Sequence, residues 1–117
     1  MRFDETEEQS MIRELVRDFA ETVLQPTVEH RDANQIAPSE EWKAFLDFGL
    51  QGVTIPEEYG GNPVDDICES IIVEELARVD TSFAVMFCVH VGLCAKTIAL
   101  HGNEGQKETY LPRLASG

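Results

Sequence analysis

The stretch from Phe83 to Leu100 constrains this chain more than any other. It is apolar almost all round and is broken by His90, Lys96 and Thr97. A helix of that kind has to be covered on every face. Its length approaches the lower limit for a bilayer span. A lysine and a histidine inside it argue against spanning, since a charge at mid-bilayer is costly. Charged helical segments stand on both sides. The stretch therefore predicts the central, buried helix of an all-α domain, with no membrane span.

The rest of the chain supplies the helices around it. From Glu5 to about Gln25 the apolar residues Met11, Ile12, Leu15, Val16, Phe19 and Val23 follow a helical period. Thr6 and Gln9 have capping-box spacing at its start. Pro26 is expected to end or kink this helix, because it lacks an amide donor and crowds the preceding turn. Val28–Arg31 could form one more turn. Ser39 can cap a short second helix bearing Trp42, Phe45 and Leu46, and Gly49 can end it. Leu50–Pro56 reads as an irregular link anchored by Val53 and Ile55. Glu57–Pro63 is a turn-rich loop. Asp66 and Glu69 predict the start of a third helix, about Ile67 to Val79. Its buried stripe would be Cys68, Ile71, Ile72, Leu76 and Val79, with Glu74, Glu75 and Arg78 on the other side. Asp80 or Thr81 would cap the fourth. After Gly102, Asn103 and Gln106 predict a further capping box and a fifth helix carrying Tyr110, Leu111 and Leu114, with Pro112 at its last turn. The fold class is all-α, an orthogonal or up-down bundle of about five helices.

With 117 residues, one domain able to bury a core is the natural size. Nine basic residues against 22 acidic ones leave a net charge of -13. Such a surface repels phosphate backbones and anionic lipid, so no nucleic-acid partner is expected. Cys68, Cys88 and Cys94 are an odd set inside apolar stretches and read as small buried hydrophobes in a reducing, cytoplasmic setting. No basic leader precedes an apolar run at the N-terminus.

Little chemistry stands out from the residues alone. His90 and Cys94 are four apart, but two ligands do not make a zinc site, and no metal is expected. His90 reads as a packed or hydrogen-bonded helix residue. Glu57 and Glu58 read as solvated charges. Gly60-Gly61 lacks the spaced glycines of a phosphate loop. No residue is assigned a catalytic role. What remains is a stripe of Val85, Met86, Val89 and Leu93, spaced to face one direction. It fits either core packing or the wall of a groove for an acyl tail.

Longer words in the sequence then decide between readings. Thr54-Ile55-Pro56-Glu57-Glu58-Tyr59-Gly60-Gly61 resembles the loop between the second and third helices of acyl-CoA dehydrogenases. Glu74-Glu75-Leu76-Ala77-Arg78-Val79-Asp80 resembles the end of their third helix, and Arg17-Asp18-Phe19-Ala20 with Pro26 their opening helix. Gly102-Asn103-Glu104-Gly105-Gln106-Lys107 and Tyr110–Gly117 resemble the approach to their middle β domain. The resemblance runs the length of the chain.

It implies that residues 1–117 are the N-terminal helical domain, with the middle β domain and the C-terminal helical bundle absent. It also implies a flavoenzyme that oxidises the α–β bond of an acyl-CoA to a trans-2-enoyl product. FAD would belong to the full-length enzyme, with none bound by this chain alone, and the electron acceptor would be a protein such as electron-transfer flavoprotein. A homo-oligomer is expected. The family's catalytic carboxylate lies outside these residues. The resemblance places Val85, Met86, Val89 and Leu93 along the acyl tail as substrate-binding residues, with His90 a weaker candidate. Two other readings stand beside it: a standalone helical interaction module that has lost catalysis, and a small lipid-tail carrier without flavin.

Overall fold

The computed structural model describes residues 2–117. Helix α1 (Glu7–Phe19) passes through a wide π turn (Ala20–Leu24) into α2 (Gln25–Asn34). Next come α3 (Ser39–Leu46), two single 3₁₀ turns (Leu50–Gly52 and Glu57–Tyr59) and α4 (Asp66–Val79). Helix α5 (Thr81–Cys88) widens into a π segment (Val89–Lys96) and closes as α6 (Thr97–His101); α7 (Glu104–Ser116) follows. Joined across their wide turns, these make five helical rods and no strand among the described residues. The all-α expectation of about five helices holds.

The residues gather into two compact units. One holds the residues up to Pro38 together with Asp65–Ala84. Here α1 packs on α4, burying Val16, Phe19, Ala20 and Leu24 from the first rod and Cys68, Ile71, Ile72 and Leu76 from the second. Phe19 and Phe83 meet with ring centroids 5.7 Å apart. Met11 and Leu15, expected on the buried face, are exposed. The packed face centres instead on Val16, Phe19 and Ala20, so a broad apolar arc is covered only in part.

The starts of these helices follow the sequence closely. Thr6 Oγ1 accepts from Gln9 N–H at 3.2 Å, and Gln9 Oε1 accepts from Thr6 N–H at 3.0 Å. The cap of α4 is Asp65, one residue before the expected Asp66; its Oδ1 accepts from Cys68 N–H at 2.7 Å. Pro26 neither ends nor shortens the first rod. In the π turn, Gln25 N–H reaches back to the Ala20 carbonyl. That places Pro26 in the opening positions of α2, where a missing N–H and a fixed φ are tolerated.

Glu75 is the main departure in this unit. Expected on the solvated side of α4, it is 1% exposed. Arg13 Nη1 donates to its Oε1 at 2.7 Å, and Arg17 donates through Nη2 at 2.9 Å and Nε at 3.0 Å. Those hydrogen bonds hold its carboxyl well below the usual range, at about 2. A charge can be buried when its partners reach it there. Asp80 is also buried: it takes Arg31 Nη2 on Oδ2 at 2.6 Å and caps the next helix by accepting Phe83 N–H on Oδ1 at 3.1 Å.

The other unit comprises Ser39–Val64 and Val85–Gly117. Gly49 ends the α3 turn in a left-handed conformation at φ 70°. Val53 and Ile55 are buried, as expected of anchors. Ile55, Ala95, Leu111 and Ala115 form one apolar cluster, with Tyr59, Ile98, Ala99 and Leu114 against it. Asn103 and Gln106 form the expected capping box at 2.9 and 3.0 Å.

Candidate functional site

The helix Thr81–His101 has two unlike edges. Phe83, Phe87, Val91 and Ala95, four residues apart, are buried. Val85, Val89 and Leu93 are 57%, 46% and 73% exposed. Met86 is half-buried beside them. The expectation of a helix covered all round therefore fails, with 28% of its apolar stretch buried. Composition counts apolar residues but not the surfaces available to cover them. By length and composition alone the helix is apolar enough to cross a membrane.

The packed edge is held firmly. Phe45 meets Phe87 edge-on at 5.7 Å, and Trp42 lies against Phe45 at 5.6 Å. Trp42 also meets the edge of His90 at 5.3 Å. His90 Nε2 lies 2.9 Å from the Leu114 carbonyl, which makes Nε2 the protonated nitrogen and the donor. This is the packed, hydrogen-bonded histidine expected from the sequence. Thr54 donates its hydroxyl to the Val91 carbonyl at 2.6 Å. That bond joins the 50–56 link to the π segment, where wide turns loosen the normal ladder. Gln51 Nε2 donates to the Ala115 carbonyl at 2.9 Å, so side chains serve two of the last carbonyls of α7.

The four residues of the stripe thus stand on a rigid support, and they form an open wall. A separate open groove of about 470 Å³ runs between α7 and the helix flank, lined by Cys94, Ile98, Tyr110, Arg113, Leu114, Ser116 and Gly117. Sequence reasoning did not name this groove. Its lining joins residues about twenty apart, and only the α7 packing brings them together.

Other chemistry is muted. Cys68 is buried, which pushes its thiol up to about 11 and leaves it inert. Cys88 and Cys94 are half-buried rather than buried. Glu57 and Glu58 are exposed. No group of three His, Cys, Asp or Glu side chains suited to a metal occurs among the described residues. Gly61 packs so tightly on the Ile55 carbonyl that a Cβ would overlap it. Gly60, exposed and left-handed at φ 88°, completes the turn, and the pair lacks the spaced glycines of a phosphate loop.

Comparison with known proteins agrees with this geometry. The family model of the acyl-CoA dehydrogenase N-terminal domain matches residues 6–117. The probable acyl-CoA dehydrogenase YngJ of Bacillus subtilis is 39% identical over all of this chain, which spans 31% of that relative's length. A chain from the structural study of the electron transferring flavoprotein of Acidaminococcus fermentans superposes with a TM-score of 0.93 at 39% identity, covering 100% of this chain and 31% of that one. The acyl-CoA dehydrogenase of Bacillus anthracis, solved in complex with FAD, superposes with a TM-score of 0.87 at 35% identity, covering 97% and 20%. Fold, motif order and end-to-end match agree: the chain belongs to the acyl-CoA dehydrogenase family and corresponds to its N-terminal domain.

Proposed function

We propose that this chain is the helical N-terminal part of a flavin-dependent acyl-CoA dehydrogenase, in which Val85, Met86, Val89 and Leu93 wall the acyl tail of the thioester. The observation that carries the reading is the exposure of this apolar stripe on a helix whose opposite edge is tightly packed. Each methylene laid on such a wall and removed from water contributes about 0.8 kcal/mol to binding. A wall on a rigid support orients a flexible tail without moving itself.

In the complete enzyme the α–β bond of the acyl group is oxidised to the trans-2-enoyl thioester. FAD supplies the redox chemistry there when bound, on surfaces outside these residues. The chain's own part is to bind and orient. No acid or base of the reaction is assigned to it, and its buried carboxylates, Glu75 and Asp80, are engaged by arginines. Cytoplasmic location, homo-oligomeric assembly, an electron-transferring protein acceptor and the absence of nucleic-acid partners belong to the same proposal. The net charge of -13 and three cysteines outside any disulfide support it. The exposed stripe is covered by protein and substrate in this reading, not by lipid; His90 and Lys96 on the same helix support that.

The test is the complete protein that contains this chain, purified and loaded with FAD. A flavin absorption band on the main size-exclusion peak, with turnover of an acyl-CoA and reduction of an artificial acceptor, is the expected result. A flavin-loaded protein inert towards acyl-CoA of every length overturns the reading. Met86→Ala should shift kcat/KM towards longer acyl chains, by about 10-fold for the best one. An unchanged chain-length profile removes Met86 from the wall.

A further inference from the structure

Of the eight glycines in the chain, six have an internal reason to be glycine. Gly49, Gly60 and Gly117 adopt left-handed φ of 70°, 88° and 89°. A Cβ on Gly52 would lie 3.3 Å from Gly61 Cα, one on Gly61 would overlap the Ile55 carbonyl, and one on Gly102 would lie 2.6 Å from the Ile98 oxygen. Gly105 sits in the first turn of α7 beside its cap, where a helix tolerates glycine best. Gly92 differs from all of these. It lies inside the long helix, and a Cβ there would meet no atom within 4 Å beyond the adjoining backbone of its own helix and its two chain neighbours. Glycine at such a position weakens a helix relative to alanine, and nothing in the chain's own packing requires it. A bare backbone with open space beside it suits the close approach of something from outside.

The neighbours define what approaches. Gly92 lies in the π segment, immediately before Leu93. Met86 lies immediately after Val85. By helical spacing, these two stand on opposite flanks of the Val85–Val89–Leu93 stripe. One flank carries the Met86 thioether, and the other carries Gly92 with the half-buried Cys88 one turn before it. A slim straight tail along the stripe has no use for that asymmetry. A tail with a branch needs it, with the extra bulk turned towards Gly92 and away from Met86.

We propose that Gly92 is a specificity-determining residue of the acyl wall, its bare backbone receiving the branch of a branched acyl thioester. The inference rests on the acyl-wall reading above. Its test compares the wild-type complete flavoenzyme with Gly92→Ala and Gly92→Val on butyryl-CoA, octanoyl-CoA and isovaleryl-CoA. Gly92→Ala should lower kcat/KM for isovaleryl-CoA by about 10-fold, the scale of one misplaced methyl in an apolar pocket, and lower it several-fold less for butyryl-CoA. Gly92→Val should exaggerate the difference. Calorimetric binding of isovaleryl-CoA should weaken in parallel. The thermal midpoint of Gly92→Ala should not fall, because alanine favours the helix, so a lost substrate is not mistaken for a lost fold. Equal losses on all three substrates, or none, overturn the proposal, as does a wild type that turns over butyryl-CoA but not isovaleryl-CoA. A wild type inert towards all three overturns the acyl-CoA dehydrogenase reading itself, a separate outcome.

Discussion

Glu75 shows how one side chain can set the acid limit of a fold. Folding lowers its pKa from the ordinary 4.5 to about 2, chiefly through the Arg17 hydrogen bonds. Between those values the unfolded chain holds the proton more readily than the folded one. The stability it contributes is therefore complete above about pH 4.5 and is lost as pH falls towards 2. Glu75→Gln should cost about 2 kcal/mol at neutral pH, less than for a fully buried pair because Arg17 keeps much of its side chain in water. It should also flatten the acid limb of a stability-versus-pH curve measured by urea denaturation. Asp80→Ala should cost more, about 4 kcal/mol, because it leaves the Arg31 guanidinium buried without this partner and removes a helix cap. A urea midpoint within error of wild type would remove Asp80 from this role.

At the scale of elements, the sequence was most legible where a structure is local. The Thr6–Gln9 and Asn103–Gln106 boxes need only three residues and appear where their spacing places them. Asn103→Ala should accordingly cost about 1 kcal/mol, read as a shift in urea midpoint with the slope unchanged. Legibility fails where a distant element decides. The burial of Glu75 depends on Arg13 and Arg17, some sixty residues earlier in the chain. The π segments escape a 3.6-residue template, because an extra residue shifts the phase of the pattern and a run apolar on most faces hides that shift. Pro26 illustrates the point: its chemistry was clear, but the wide turn that accommodates it was not. The stripe at Val85, Met86, Val89 and Leu93 was visible as a pattern, while its exposure depended on which partners the rest of the chain could supply.

For the whole molecule, the charge of -13 is the governing quantity. Like charges spread over a small surface repel one another and favour expansion. Salt screens that repulsion, with a Debye length of about 10 Å at 0.1 M and about 3 Å at 1 M. The Glu75 and Asp80 ion pairs are buried and lose less to the same screening. The thermal midpoint should therefore rise by about 5 °C between low salt and 1 M sodium chloride. A flat or falling midpoint would show that surface pairs such as Arg78–Glu21 outweigh the excess charge.

The hub at Glu75 also has a genetic consequence. Three arginines, Arg13, Arg17 and Arg78, converge on one carboxylate, and each of the three is within 3.4 Å of it. Redundancy lies entirely on the cationic side. Position 13, 17 or 78 can drift singly while the other two hold the anion in place, whereas position 75 has no understudy. A saturation-mutagenesis screen of this domain should therefore record tolerance at each arginine taken alone, intolerance when two are lost together, and a narrow spectrum at 75 in every background.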